Sequence, residues 1–577
     1  MYNPGQSTPP YQSYGTAHSR ITHNVLQRRH RASCLDFSTL RYIKRRLSLL
    51  LTGLIGSCPR SFISFKQQLI PPSMARKGSA KVRTGCRTCK IRKVKCDESK
   101  PHCQRCVSTG RKCDGYAPPQ PPASSALSWH RPRHLFPNVN DVSERRALQF
   151  FCQAAGPSLS GPMDPYFWTH LVMQFSTFEP AVRHSVVAIS SLYEQIYSKP
   201  SSVRLLTDDR LALSHYNSAI RELKSMNNEP LVLLVCILFV CIEFLLGNRE
   251  PAIEHCKHGV VILENIEASY PWAKKYLSPI FRRLTLFPFF FAIDPSSFPK
   301  LLGLNDQLPE SFESLEQAQF YIDGITTRTV SLVRRGDRYR LEEMRDTPVS
   351  PELLEEQETI TTLLDEWHSR FLELQNTPSS SSWPKETVYN VLLRYDISRI
   401  WVDTVFEYEE ITYDKYIDKF RLIVARATEL QASKISGPNN AQDRPKFIFE
   451  MGFMPLLYYV VLRCRCLATR MRALSLMKTL GATRECLWET TTMYTVGRRV
   501  IEIEHDFLFN EKGDPSTPPR YPNLPPDEVR VRDTTTSPIS TIQVDAQGRE
   551  IGGRITGFFR RKRDGSIYLQ TEFLNET

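Results

Sequence analysis

Six cysteines lie within one short segment of the chain, and their spacing is regular. The pattern is C-x2-C-x6-C-x6-C-x2-C-x6-C, and its members are Cys86, Cys89, Cys96, Cys103, Cys106 and Cys113. A shift of seventeen residues places the first three cysteines on the last three, so the segment is an internal duplication. Two thiolates separated by two residues, with a third further along the chain, are typical of a site for a tetrahedral metal ion.

The number of sulfurs indicates two metal ions that share ligands. Each half of the duplication offers three thiolates, whereas a tetrahedral zinc ion takes four ligands. Six sulfurs therefore satisfy two zinc ions only if two of the sulfurs bind both ions. Soft thiolates in sets of four favour zinc among the biological metals. We predict a cofactor of two zinc ions held by the six cysteines.

Basic residues surround these cysteines. Residues 76–116 carry a net charge of +10, in a chain whose net charge is +14, and the residues after them are net acidic. Nearby cations lower the pKa of thiols and stabilise the residual negative charge of a zinc–thiolate cluster. A localised basic patch also points to a polyanionic partner, and to nucleic acid before a membrane.

Three other uses of clustered cysteines fit the pattern less well. A disulfide knot conflicts with the reducing compartment that we expect for a chain without a recognisable secretion signal. A thioredoxin-like redox pair needs a single C-x-x-C in a βαβ context. An iron–sulfur site does not require the duplication of the three-cysteine unit.

The stretch GCRTCKIRKVKCDESKPHCQRCVSTGRKCDGY resembles the Zn2Cys6 binuclear zinc cluster, or C6 finger, of fungal transcription factors. The resemblance covers all six cysteines and implies that Cys86 and Cys103 bridge the two metals. One zinc ion would then bind Cys86, Cys89, Cys96 and Cys103, and the second would bind Cys103, Cys106, Cys113 and Cys86. It also identifies Pro101 with the proline of the loop that joins the two halves.

The two halves differ in the residues between their second and third cysteines. The second half carries Ser108, Thr109 and Gly110 there, which are poor residues for a helix interior. Only the first half predicts a short helix with a dense basic face, and such a helix can present Lys or Arg to guanine O6 and N7 in the major groove. This helix is the candidate reader of double-stranded DNA.

The resemblance assigns roles to individual basic residues. Lys93 and Arg92 occupy the positions that contact the base edges of a CGG-type triplet. The other candidates are expected to contact phosphate and to give affinity without sequence information: Lys90, Lys95, Arg87 and Arg83. The alternative is that all these cations only balance the charge of the cluster, for which two or three of them would suffice.

The remaining chain has a different pattern. Residues 141–510 show apolar residues at three- and four-residue spacing, which predicts a large all-α domain. The apolar stretch 231–247 contains Glu243 and is shorter than the roughly 20 residues of a membrane span, so we predict a buried core helix. LLVCILFVCIEFLLGNREPAIEHCKHGVVIL resembles part of the C-terminal α-helical regulatory domain that follows many fungal zinc clusters. That resemblance implies a role in regulation, oligomerisation or effector response.

The predicted fold is therefore mainly α, with a small binuclear zinc cluster domain, a large all-α regulatory domain and a short β-hairpin tail. The hairpin turn is expected at residues 563–565, where the chain reads Arg-Asp-Gly. The stretch RRKR at 560–563 fits this turn better than a nuclear-import signal. The predicted segments are a disordered basic N-terminal extension (1–73), the cluster domain (81–116), a Pro/Ser linker (117–140), the helical domain (141–510), a Pro-rich linker (511–535) and the β-rich tail (536–577).

These features predict a sequence-specific DNA-binding regulator of RNA polymerase II transcription that acts in the nucleus. No nucleotide-binding loop and no G-x-S-x-G motif occur, so we predict that the chain is not an enzyme. The pairs His255/His258 and Cys464/Cys466 have metal-like spacing but lack completing ligands, and we interpret them as core or surface residues. The expected partners are DNA and the transcription machinery, without a membrane, and a homodimer would form through the helical domain because no heptads follow the cluster.

The resemblance also implies the control of a biosynthetic gene cluster, because that role is common among fungal zinc-cluster factors. The alternative function is an effector-binding or protein-interaction protein in which the helical domain dominates and DNA binding is secondary.

Overall fold

The computed structural model describes residues 85–116, 139, 141–163, 165–198, 210–266, 269–291, 307–341, 344–436, 445–544 and 547–576. These residues fall into two compact units, one formed by residues 85–116 and the other by the residues from 139 onward. The predicted extension 1–73, nearly all of the predicted linker 117–140, and Arg83 lie outside the described residues.

The first unit contains two short helices, α1 (Arg87–Ile91) and α2 (Gln104–Val107), joined by a loop with a cis peptide bond before Pro101. Its apolar interior consists of cysteines, with Val94 and Tyr116 packed against them. A unit of this size has too little apolar surface to fold on hydrophobic burial alone. Its stability must therefore come from the chemistry of the sulfurs.

The second unit is mainly α-helical, as the periodicity of the sequence predicted. Two of its helices are extended by π-helical turns at Phe151–Ala155 and Phe167–Leu171. The α-helices are α3 (Val142–Phe150), α4 (Gly156–Leu159), α5 (Val172–Ser176), α6 (Pro180–Ser198), α7 (Arg210–Leu223), α8 (Glu229–Leu246), α9 (Arg249–Ile266), α10 (Pro271–Tyr276), α11 (Ser278–Leu284), α12 (Phe287–Phe291), α13 (Leu315–Arg340), α14 (Pro351–Gln375), α15 (Lys385–Thr404), α16 (Ile417–Ser436), α17 (Met454–Arg463), α18 (Leu467–Thr479) and α19 (Thr490–His505).

Helix α8 is the central element of the first half of this unit. It begins after Asn228, whose side chain accepts a hydrogen bond from the amide of Leu231, and it ends at Gly247, which adopts a left-handed φ of 81°. Among the described residues it is the one helix long and apolar enough to cross a membrane, but 89% of that stretch is buried inside the protein. Helices α6 and α9 pack against it. The predicted core helix is confirmed.

Glu243 within α8 is buried, and its carboxylate accepts hydrogen bonds from neutral donors. Its carboxylate accepts from the hydroxyl of Tyr216 at 2.8 Å and from the side-chain amide of Asn248 at 2.7 Å. The Tyr216 hydroxyl also lies 3.1 Å from Nε2 of His255, which is buried. Hence His255 is a core residue with a polar partner, as predicted.

A second core forms between α13, α14 and α15 around Trp367. The Trp367 ring is fully buried, stacks on Phe371 with centroids 4.7 Å apart, and donates its Nε1–H to the carbonyl of Ala318 at 2.8 Å. Because the indole nitrogen has a partner, this large side chain is buried without an unsatisfied donor.

Two β-sheets complete the second unit. β1 (Phe447–Ile448) pairs in parallel with β2 (Arg484–Glu485), which pairs antiparallel with β3 (Trp488–Glu489). In the second sheet, β6 (Glu550–Arg561) pairs antiparallel with β4 (Asp533–Thr536) and β5 (Thr541–Val544), and with β7 (Ile567–Asn575). The turn between β6 and β7 includes Gly565 at a φ of 85°, so the predicted hairpin is confirmed.

The structure differs from the expected linker between the helices and the tail. Within the segment 511–535, Arg530 and Arg532 are fully buried, and they pair with Asp414 and Asp527. Strand β4 also begins inside this segment, and the sheet packs against α19 through Phe558. Proline content signals irregular backbone, but it carries no information on whether that backbone is packed.

Candidate metal centre and nucleic-acid interface

The fold of residues 85–116 brings all six predicted cysteines together. Their sulfur atoms form two groups of four, and within each group the atoms all lie within 4.8 Å of one another. Cys86 and Cys103 belong to both groups. The first group adds Cys89 and Cys96, and the second adds Cys106 and Cys113. This is the division of ligands that the resemblance implied.

The distances between the sulfurs fit tetrahedral zinc. The Sγ atoms of Cys86 and Cys103 are 3.6 Å apart, Cys89 lies 3.7 Å from Cys103, and Cys106 lies 3.8 Å from Cys86. Sulfurs bound to one zinc ion at 2.3 Å would be separated by about 3.8 Å. The donor set therefore fits two zinc ions that share two thiolates.

The pKa values of the cysteine thiols also indicate that these sulfurs need nearby cations. Burial and the contact with neighbouring sulfurs raise the pKa of the thiols of Cys86, Cys89 and Cys103. Backbone amides that donate to sulfur lower the pKa of Cys113 to about 6, and they outweigh burial at Cys96, where the pKa falls to about 7. Cysteine ligands of zinc must be thiolates, and closely packed thiolates need positive charge nearby. The two zinc ions supply that charge.

Cys86 and Cys103, whose sulfur atoms belong to both groups, are also the N-cap residues of the two helices. The Cys86 sulfur accepts a hydrogen bond from the amide of Cys89 at 3.3 Å, and the Cys103 sulfur accepts one from the amide of Cys106 at 3.3 Å. Each cysteine thus caps the N-terminus of its helix, where the free amides favour negative charge. The duplication in the sequence is therefore also a duplication in the backbone.

The predicted basic helix is shorter than expected. Helix α1 ends at Ile91, Arg92 is its C-cap, and Lys93 and Lys95 lie beyond it. The backbone turns out of the helix because the amide of Lys93 bonds to the carbonyl of Lys90 at 3.2 Å and that of Val94 bonds to Cys89 at 3.1 Å. The second half also forms a helix, α2, whose only basic residue is Arg105.

The same helix ending occurs in both halves, but the residue in the left-handed conformation differs between them. In the second half, the amide of Gly110 bonds to the carbonyl of Val107 and that of Arg111 bonds to Cys106, each at 3.0 Å. The residue in the left-handed conformation is Gly110 at a φ of 63°, and the equivalent residue in the first half is Lys93 at a φ of 55°. A lysine therefore occupies a position that favours glycine.

The other candidate DNA-binding residues surround this turn. Arg87, Lys90, Lys93 and Lys95 are exposed, and within residues 85–116 none of their side chains pairs with an acidic group. Arg92 is half-buried, and its Nη1 lies 3.5 Å from Oγ1 of Thr109 in the second half. Most of the predicted basic residues thus lie on the surface of the unit and are available to a polyanion.

Sequence reasoning missed the role of Asp97. Its carboxylate accepts hydrogen bonds from the amides of Gln104 at 3.1 Å and Arg105 at 2.6 Å, at the N-terminus of α2. Hydrogen bonds with Ser99 and these amides hold the pKa of Asp97 well below its usual range. The signal that would have revealed it is an acidic residue directly after the third cysteine, within reach of the second helix.

Contacts between the two ends close the unit. The amide of Arg87 donates to the carbonyl of Gly115 at 3.0 Å, and the hydroxyl of Thr88 donates to Asp114 at 2.9 Å. The hydroxyl of Tyr116 donates to the carbonyl of Ser99 at 2.8 Å. These bonds hold the start of α1 against the end of the module and fix the basic turn relative to the sulfurs.

Comparisons with known proteins agree with this geometry. Residues 84–123 match the Fungal Zn(2)-Cys(6) binuclear cluster domain. No solved structure matches the chain.

Curated relatives extend the likeness beyond the cluster. The chain is similar to the "Aspercryptin biosynthesis cluster-specific transcription regulator atnN" of Emericella nidulans, with 32% identity over 246 residues that cover 36% of this chain and 38% of the relative. It is also similar to the "Transcription regulator lscL" of Purpureocillium lilacinum, with 28% identity over 206 residues, 31% of this chain and 48% of the relative. The chain thus spans less than half the length of these relatives. Residues 84–123 thus match a binuclear zinc-cluster domain, and about a third of the chain is similar to proteins that are named as transcription regulators.

Proposed function

We propose that the chain is a nuclear transcription regulator that reads CGG-type triplets of double-stranded DNA through the turn at the end of α1. Zinc-bound residues 85–116 form the DNA-binding unit, and the helical unit regulates it. Because the relative atnN is named as specific to a biosynthesis cluster, we extend the proposal to control of a biosynthetic gene cluster. The partners are the transcription machinery and, through the helical unit, a second copy of the chain.

The observation that carries the proposal is the conformation of Lys93. A residue other than glycine in the left-handed region costs roughly 1–2 kcal/mol, and the duplicated half uses Gly110 at the same place. Strain of this kind is concentrated at functional positions. Lys93 is exposed and without an acidic partner among residues 85–116, so its side chain does not stabilise the unit through an ion pair. A contact between the Lys93 side chain and a base edge of DNA explains why lysine is present at this position.

Replacement of Lys93 by Gly is expected to separate DNA reading from folding. The variant removes the side chain and also the backbone strain, so the zinc-bound unit should be at least as stable as the wild type. Discrimination between a CGG-containing duplex and a scrambled duplex should fall by about 1–3 kcal/mol. Binding titrations on the two duplexes, with thermal unfolding measured in parallel, check both parts.

Lys90→Ala is the matched control, because Lys90 is an exposed lysine one turn earlier on the same unit. Loss of a phosphate contact should weaken both duplexes equally and reduce the salt slope by about one unit. If Lys93→Gly leaves the ratio of specific to non-specific binding unchanged, the base-reading role of Lys93 is wrong. The cations would then serve phosphate contact and the charge of the cluster.

A further inference from the structure

A second group of potential metal ligands lies in the helical unit, far along the sequence from the cysteines. Glu144 is in the first turn of α3, His184 is on α6 and His215 is on α7. Their ligand atoms lie within 4.8 Å of one another. Neither the cluster match nor the predicted DNA-binding role involves these residues.

The distances between the three ligand atoms fit a bound metal ion. The Nδ1 atoms of His184 and His215 are 2.9 Å apart, and each lies 3.8 Å from Oε1 of Glu144. In the plane of these three atoms, the point equidistant from them lies about 2.1 Å from each, which is the length of a zinc–nitrogen or zinc–oxygen bond. The triangle is therefore of the size that one zinc ion spans.

The charge around the three residues favours a cation. The side chain of Glu144 is 18% exposed, and among the described residues it pairs with no lysine or arginine; the two imidazoles are its partners. Asp141 acts electrostatically on His215, and Glu222 acts on His184, where Arg183 opposes it. A carboxylate that is mostly removed from water needs a positive partner, and a divalent ion between the imidazoles supplies one.

The backbone holds the three ligands in place before any metal binds. Asp141 caps α3, and its carboxylate accepts a hydrogen bond from the amide of Glu144 at 2.9 Å. Arg146 of α3 pairs with Glu194 of α6, which holds these two helices together next to the ligands. Helices α6 and α7 pack along each other, so the two histidines come from neighbouring, well-supported elements.

We propose that Glu144, His184 and His215 form a third zinc site of this chain, independent of the cysteine cluster. Two imidazole nitrogens and one carboxylate are a ligand set that zinc accepts, and they leave a further coordination position for water. Bound zinc joins α3 to the α6–α7 pair and so stabilises the helical unit. The site takes nitrogen and oxygen donors only, which distinguishes it chemically from the thiolate cluster.

Zinc content of the full-length chain tests the proposal. After equilibrium dialysis against buffer with micromolar free zinc, the wild type should hold three zinc ions per chain by elemental mass spectrometry. His184→Ala, His215→Ala and the nearly isosteric Glu144→Gln should each hold two. The matched control is His170→Ala, which removes an exposed histidine of the same unit and should keep three. Added zinc should also raise the unfolding temperature of the helical unit in the wild type but not in the site variants.

The outcomes separate this site from the cluster. The site variants should keep the thiolate-to-cobalt charge-transfer absorption of cobalt-loaded protein, which reports sulfur ligation alone, and should keep the DNA preference of the wild type. Two zinc ions in the wild type would overturn the proposal and leave a direct hydrogen bond between the two Nδ1 atoms. A third zinc ion that persists in His184→Ala and in His215→Ala would overturn it as well.

Discussion

Replacement of Cys103 by Ala is expected to remove both metals from the cysteine cluster and to abolish sequence-specific DNA binding. Each of the two four-sulfur groups includes Cys103, so each loses a ligand, and α2 also loses its N-terminal cap. Structural zinc contributes about 10–16 kcal/mol in small domains, and this unit has a core of cysteines with few other apolar residues. Thiolate-to-cobalt absorption of the cobalt-loaded chain and titration with specific and scrambled duplexes measure the two losses.

Variants of two other cysteines serve as controls for this result. Cys96 belongs to one group only, so Cys96→Ala should keep about half of the thiolate-to-cobalt absorption, whereas Cys103→Ala should keep almost none. Cys152 is exposed and lies outside the cluster, so Cys152→Ala should match the wild type in both measurements. Equal losses for Cys96→Ala and Cys103→Ala would contradict the sharing of Cys103 between two metals.

The cluster was predictable because its information is local. Metal ligation requires particular residue types at particular spacings, and the six cysteines display both in the printed sequence. The position of Lys93 was harder to predict. Glycine at position 110 marks a left-handed residue in the second half, but lysine at position 93 gives no such signal in the first half. Comparison of the two repeats residue by residue would have shown the equivalence.

The zinc site proposed in the helical unit had no signal in the sequence. Glu144, His184 and His215 are separated by tens of residues, and each lies on a different helix. Periodicity predicts which face of a helix is buried, but it does not predict which helices pack together. Ligands that meet only through tertiary packing are therefore visible in the structure alone.

The packed segment before the sheet was missed for a related reason. Arginine is mostly exposed in proteins, so composition predicts a solvated segment. Here Arg530 lies against Asp414, a residue more than a hundred positions earlier. The partner that permits burial of the guanidinium cannot be identified from the segment itself.

Replacement of Glu504 by Gln is expected to destabilise the helical unit by about 3–5 kcal/mol, the cost of breaking a buried ion pair. The Glu504 carboxylate lies 3.2 Å from Nη2 of Arg465 and 2.6 Å from Nη1 of Arg470, and all three side chains are fully buried. It also accepts the amide of Val531 at 2.8 Å, next to the start of β4. The variant leaves two buried arginines with too little negative charge. Chemical denaturation monitored by tryptophan fluorescence measures the loss.

The same ion pairs contribute to the acid sensitivity of this unit. Burial alone would raise the pKa of Glu504, but Arg465 and Arg470 outweigh it and lower the pKa to about 2. The unfolded chain has the ordinary glutamate pKa of about 4.3, so this carboxylate contributes stability that is complete above that pH and is lost as the pH falls towards 2. The wild type should therefore lose its advantage over Glu504→Gln between pH 4.3 and 2. Glu511 is exposed, so Glu511→Gln should change neither the stability nor its pH dependence. A constant difference between wild type and Glu504→Gln across this pH range would show that the ionised form of Glu504 is not the source of its contribution to stability.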